Sequence, residues 1–155
     1  MTLCTECYIR QNGKTLMLYR NKKENDINEG KWIGFGGKFE PGESPEECLL
    51  REIKEEIGVT LTEYKMRGVV TFLTIDKPDD PMYLFVYTAS AFTGEIKKQC
   101  DEGMPEWVDD NKILGLDLWE GDKIFWEWIL GGGPFFSLKL TYDGDRLIGN
   151  DYRLY

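Results

Sequence analysis

An α/β fold is predicted by three observations. Short runs rich in β-branched and aromatic residues recur along the chain, a capped amphipathic helix lies between Ser44 and Gly58, and a more apolar helical run covers Ile124–Leu130. The 155 residues, 41% hydrophobic and 14% aromatic, are enough to bury one sizeable core, so residues 1–155 are expected to form a single domain.

Leu3–Arg10 and Lys14–Arg20 read as strands joined at Gln11-Asn12-Gly13, because Asn-Gly tolerates the positive φ angles of a tight hairpin turn. Residues 21–31 are polar and read as a loop, and Lys38–Glu43 contains Pro41-Gly42 and is irregular. Ser44 suits the N-cap, Pro45 the first helical position and Glu47 the returning arm of a capping box. That helix runs to Ile57, where Gly58 can adopt the left-handed conformation that ends it. Met66–Ile75 and Met82–Phe92 flank Asp76–Pro81 as a second hairpin, and Glu106–Val108 is a short strand. Ile124–Leu130, stopped by Gly131-Gly132-Gly133-Pro134, is a short buried helix, and Phe135–Thr141 with Arg146–Tyr152 makes a closing hairpin.

Composition narrows the function. Twenty-eight acids against nineteen bases give a net charge of −9, which argues against a nucleic-acid polymer held on a basic patch. A phosphorylated substrate would need metal ions between the like charges. No run approaches a membrane span and no basic-then-apolar leader opens the chain, so a cytoplasmic protein without membrane contact is expected. Cys4-x-x-Cys7 lacks a second pair to complete a zinc site, and on a strand the two thiols point to opposite faces. The absence of histidine excludes His-based triads, bases and metal ligands, leaving carboxylates, lysines, tyrosines and thiols.

The most informative segment is Arg51-Glu52-Ile53-Lys54-Glu55-Glu56. At about 100° per residue, Glu52, Glu55 and Glu56 share one helical face, while Leu49, Ile53 and Ile57 form the adjacent core-facing stripe. Three like charges in the second half of a helix repel one another and oppose its dipole, so stability alone does not select them. A hard divalent cation such as Mg²⁺ resolves the conflict, and phosphate oxygens or water fill its remaining positions.

Gly37, then five residues, Glu43, then seven, Arg51-Glu52-Ile53, then Glu55-Glu56 and Gly58-Val59 match every defined position of the Nudix box, so residues 37–59 resemble that family. The resemblance implies an α/β/α sandwich, with a mixed central sheet, the box helix on one face and a C-terminal helix on the other. It also implies Mg²⁺, with Mn²⁺ as substitute, held by the Gly37 carbonyl, Glu52 and Glu56, with Glu55 joining them or activating water. Glu43 and Arg51 would pair to brace the loop, tying Arg51 to the catalytic group. The implied chemistry is attack of a metal-activated water on phosphorus, a glutamate taking the proton in place of the missing histidine.

Beyond the box, Lys31–Lys38, Glu102–Trp107 and Trp119–Asp122 are similar to the MutT-like branch that sanitises oxidised purine nucleoside triphosphates. The likeness implies a nucleoside triphosphate substrate, 8-oxo-dGTP or another damaged purine nucleotide, cut to the monophosphate and pyrophosphate; a monomer is expected, with a dimer as the alternative. Glu102 stands where bacterial relatives place a loop acid that reaches the metals and serves as base; a surface turn is its ordinary reading. Trp119 would line the purine pocket or belong to the core, and Asp122 would bond the base or cap a helix starting at Lys123. Arg20, Lys22, Lys23 and Lys38 are candidates for the phosphate tail, or a solvated patch. Two positions depart from the mammalian enzyme: Ile33 replaces a base-reading asparagine and Gly121 a base-reading acid. Thr74-Ile75-Asp76-Lys77 carries neither the proline of ADP-ribose hydrolases nor the tyrosine of dinucleoside-polyphosphate hydrolases, the rival branches. A nucleotide-sensing module without catalysis is the rival from another class, and it would not need three clustered glutamates.

Overall fold

The computed structural model describes residues 1–22 and 24–155, so the expectation for Lys23 lies outside the described residues. The predicted first hairpin is present, with β1 (Thr2–Gln11) and β2 (Lys14–Arg20) turning through Asn12 and Gly13 at φ 54° and 73°. Then come β3 (Trp32–Ile33), β4 (Phe35–Lys38), α1 (Pro45–Ile57), β5 (Thr60–Thr74), β6 (Met82–Thr93) and β7 (Gly103–Asp109). A 3-10 turn over Asp110–Gly115 leads to α2 (Glu120–Leu130), and β8 (Phe136–Asp143) and β9 (Arg146–Leu154) close the chain.

Among the described residues the strands join in the order β3-β2-β1-β6-β5-β8-β9, with β4 also on β1 and β7 also on β2. The sheet is mixed, because β1–β6 and β5–β8 are parallel and the other pairs antiparallel. Strand alternation divides the core in two. Cys7, Ile9, Leu16, Leu18, Tyr87 and Ala89 pack with Leu49, Ile53 and Ile57 of α1. Tyr8, Met17 and Val86 point the other way, onto Phe125, Trp126 and Ile129 of α2. Burying each such side chain contributes about 1.5–3 kcal/mol, so the two stripes hold the helices on opposite faces and create the α/β/α sandwich.

The ends of α1 fall where the sequence places them. The Ser44 hydroxyl accepts from Glu47 N–H at 3.1 Å, the Glu47 carboxylate accepts from Ser44 N–H at 2.7 Å, and Gly58 closes the helix at φ 79°. The start of α2 corrects a sequence expectation: the helix begins at Glu120 with Trp119 at the N-cap, so Asp122 is not a cap but lies within the first turn. Trp119 packs into the core and fixes the entry of the chain there. Cys7 belongs to the α1-side core and Cys4 lines the cleft described next, in keeping with opposite strand faces. Among the described residues no helix is long and apolar enough to cross a membrane.

Candidate active site

The site starts from the antiparallel pairing of β4 with β1, which places Gly37 opposite Thr5 and brings the loop against α1. A β-carbon on Gly37 would lie 2.4 Å from the Glu52 carboxyl carbon, so only glycine lets that carboxylate sit against the loop. The Gly36 N–H donates to Glu56 at 3.2 Å, and the Gly37 carbonyl accepts a weak bond from the Cys48 thiol at 3.5 Å. Glu52 and Glu56 reach one cleft with Glu102, which arrives from the turn before β7. Glu55 borders the same acidic rim and is more exposed.

The electrostatic conflict seen in the sequence persists in three dimensions. Burial, then the nearby charges of Glu102 and Glu52, push the Glu56 carboxyl up to about 8. Arg51 relieves part of it, donating to both oxygens of Glu43 at 2.5 and 3.0 Å, to Glu52 at 2.9 Å, to Glu55 at 3.3 Å and to the Lys38 carbonyl at 3.0 Å. Its hydrogen bonds hold the Glu43 carboxyl down to about 2. The expected brace between loop and helix is therefore in place, and Arg51 touches two of the acids as well.

These donors suit a hard divalent cation, being carboxylates and a carbonyl around a glycine cradle. Among the described residues the acids do not form a ready-made group of three or more ligands. Arg51 accounts for this by drawing Glu52 and Glu55 towards its own Nη1. A cation would have to displace that contact.

The cleft continues from the acids to Trp119 and Asp122 as one space of about 720 Å³. Ile33, Phe72, Met82 and Leu84 line its middle. Trp119 is 7% exposed within the α2-side core, its ordinary sequence reading, and it also lines the cleft. Phe72 and Tyr142 hold its ring edge to face, and its Nε1–H donates to Asn28 at 2.8 Å. Asp122 is 8% exposed and lines the cleft, and burial first, then the charge of Glu6, push its carboxyl well above the usual range. A β-carbon at Gly121 would lie 2.4 Å from Leu140 Cδ1 and 2.8 Å from the Tyr142 hydroxyl, so an acid there would require those side chains to shift.

The basic candidates separate. Arg20 lines the cleft but its Nε is engaged with Asp26 at 2.7 Å. Lys38 also lines it, whereas Lys22 turns away to Gln99 and the Cys100 carbonyl. Two residues escaped the sequence reading. Lys97 stands at the acidic rim beside Glu55, in a turn with no local motif. Glu6 is buried in β1 and lines the cleft, its Oε1 accepting from Gly34 N–H and Tyr8 Oη, both at 2.8 Å. An acid on the same strand face as Cys4 and Tyr8 was the available signal.

The chain matches the NUDIX domain model over residues 4–129. It is 33% identical over 124 residues to an oxidized purine nucleoside triphosphate hydrolase of Danio rerio, covering 80% of this chain and 76% of that one. It is 40% identical over 120 residues to the nucleoside triphosphatase NudI of Escherichia coli, covering 72% and 85%. Among solved structures it resembles a MutT protein from Bacillus halodurans at TM-score 0.88 and 27% identity, covering 98% and 97%. On the family match and these likenesses, the chain belongs to the Nudix family of hydrolases.

Proposed function

We propose that the protein hydrolyses a nucleoside triphosphate to the monophosphate and pyrophosphate, with an oxidised purine nucleotide such as 8-oxo-dGTP as preferred substrate, and so cleans the nucleotide pool ahead of DNA synthesis. The observation that carries this reading is the single cleft joining Glu52, Glu56 and Glu102 to Trp119 and Asp122. A polyphosphate at the acidic end and a flat base at the aromatic end fit one molecule. The named activities of the zebrafish and Escherichia coli relatives support the same substrate class.

Gly37, Glu52, Glu55, Glu56 and Glu102 would hold Mg²⁺ or Mn²⁺, which supplies an activated water and neutralises phosphoryl charge. Glu55 or Glu102 takes the proton of the attacking water, there being no histidine for the task. Arg51 keeps the glycine loop and the helix in register through Glu43, and Lys38 and Arg20 face the polyphosphate along the cleft. Trp119 offers a wall for the base. The working unit in this reading is a monomer with one domain over residues 1–155.

A nucleotide panel with Mg²⁺, scored by kcat/KM for pyrophosphate release, tests this reading. An oxidised purine triphosphate should lead. Equal or better cleavage of ADP-ribose, a dinucleoside polyphosphate or pyrimidine triphosphates would assign another substrate class, and binding without cleavage of anything would make the protein a sensor.

A further inference from the structure

The cleft holds more acid than the metal chemistry uses. Glu6 comes from β1 and Asp122 from the first turn of α2, and each is 8% exposed. The Glu6 Oε1 is committed to Gly34 N–H and Tyr8 Oη. Among the described residues the Asp122 side chain has no hydrogen-bond partner, and neither acid has a carboxyl oxygen sealed away without one. Asp122 and the second oxygen of Glu6 are therefore open to the cleft both acids line.

Among the described residues no neighbouring donor satisfies Asp122 or the second oxygen of Glu6. Ile33, Phe72, Met82 and Leu84 are apolar, and the indole N–H of Trp119 is spent on Asn28. Lys31 stands over the Trp119 ring and is paired with Asp117, and Arg20 is paired with Asp26. Protonated or not, each carboxyl keeps an acceptor oxygen, and a buried acceptor without a donor is costly, so a ligand that brings N–H groups is favoured over one that brings only acceptors.

We propose that Glu6 is a specificity-determining residue: with Asp122 it reads the edge of a 2-amino-6-oxopurine, the guanine class, whose adjacent ring N–H and amino group form a donor pair suited to one open oxygen from each acid. This rests on the nucleotide-hydrolase reading above and names the base within it. Guanine and its 8-oxo derivative share that edge, so Glu6 selects both against adenine and pyrimidines, and discrimination between the two falls to other groups. The side chain lost at Gly121 is thereby matched by an acid from a different element.

The Glu6→Gln variant is informative because of how Glu6 is held. The oxygen must stay on the Gly34 and Tyr8 side, so the new amide places its NH₂ towards the base, donor against donor. We expect kcat/KM for dGTP and 8-oxo-dGTP to fall at least about tenfold, mainly through KM, while that for dATP changes less than about threefold, as for loss of a hydrogen bond to a charged group. Asp122→Asn should shift the same ratio. An unchanged guanine-to-adenine ratio, or an equal fall for both nucleotides with a lowered melting temperature, overturns the proposal. A second arm is independent of hydrolysis: metal-free binding of dGMP and dAMP, followed by tryptophan fluorescence. If no triphosphate is cleaved but Glu6→Gln still weakens dGMP alone, the base assignment stands and the hydrolase substrate reading fails. If triphosphates are cleaved and dGMP binding is indifferent to Glu6, the base assignment fails and the substrate class survives.

Discussion

Gly37 and Glu52 are packed so closely that a β-carbon on the glycine would stand 2.4 Å from the carboxyl carbon of the glutamate. Gly37→Ala should therefore push the Glu52 carboxylate away while leaving α1 anchored by Leu49, Ile53 and Ile57. The expected outcome is a ten- to hundredfold loss of Mg²⁺-dependent kcat, about the cost of disturbing the support of a metal ligand, with a near-normal melting temperature. A Mg²⁺ titration of turnover measures it, and wild-type metal affinity in the variant would contradict the cradle.

Glu56 links the site to pH. Its carboxyl is raised to about 8 from an ordinary 4.5 by burial and by Glu102 and Glu52. The folded metal-free protein thus binds a proton that the unfolded chain has released, and the Glu56 contribution to stability is fully present below about 4.5 and lost as pH rises through about 8. Melting temperature in EDTA should fall over that window, less steeply in Glu56→Gln. Mg²⁺ should restore stability at pH 8, and its binding should tighten with pH because the metal competes with the proton. The same variant should lose at least about a hundredfold in turnover as a lost metal ligand. Near-wild-type turnover would remove Glu56 from the metal site.

Arg51 forks onto both oxygens of Glu43 while its Nη1 reaches Glu52 and Glu55. Lysine cannot reproduce that fork, so Arg51→Lys should lower kcat by about tenfold or more despite keeping the charge. The Glu43 carboxyl, held down to about 2, contributes stability above about 4.5 that is lost as pH falls through about 2. Acid unfolding of Arg51→Lys and Glu43→Gln should begin at higher pH than that of the wild type, and coincident acid transitions would count against the brace.

Trp119 serves core and cleft together, so truncation has two effects. Trp119→Ala should cost about 3–5 kcal/mol of stability, as large buried aromatics do, and raise KM. Trp119→Phe keeps an aromatic wall but loses the Asn28 bond and part of the buried ring, so it should raise KM by about tenfold or less with kcat retained. Chemical denaturation and steady-state kinetics on the pair separate the two roles, and an unaltered KM in both variants would leave Trp119 as core alone.

The parts of this molecule written locally were legible in the sequence. The capping box, the glutamate face and Gly58 sit within one stretch of chain, and α1 runs from Pro45 to Ile57 as its spacing predicts. Length was harder where polarity disguised a strand: β5 begins at Thr60, ahead of the expected Met66, because Thr60–Lys65 is largely exposed and its pairing with β6 is interrupted by bulges. The short strands β3 and β4 lie in a glycine-rich run and owe their extended form to pairing with β2 and β1. The base end was least legible. Asp122 resembles a helix cap until α2 is seen to start two residues earlier, and Glu6 gains meaning only when β1 and α2 meet across the cleft.

The reaction proposed for this cleft is cleavage of a nucleoside triphosphate through divalent-metal chemistry at the α1 glutamates. Product analysis of 8-oxo-dGTP turnover by ³¹P NMR, with and without Mg²⁺, tests it. The expected products are 8-oxo-dGMP and pyrophosphate, formed only with the metal and nearly abolished in Glu56→Gln. Release of inorganic phosphate with 8-oxo-dGDP, or equal turnover in EDTA, would overturn that reaction.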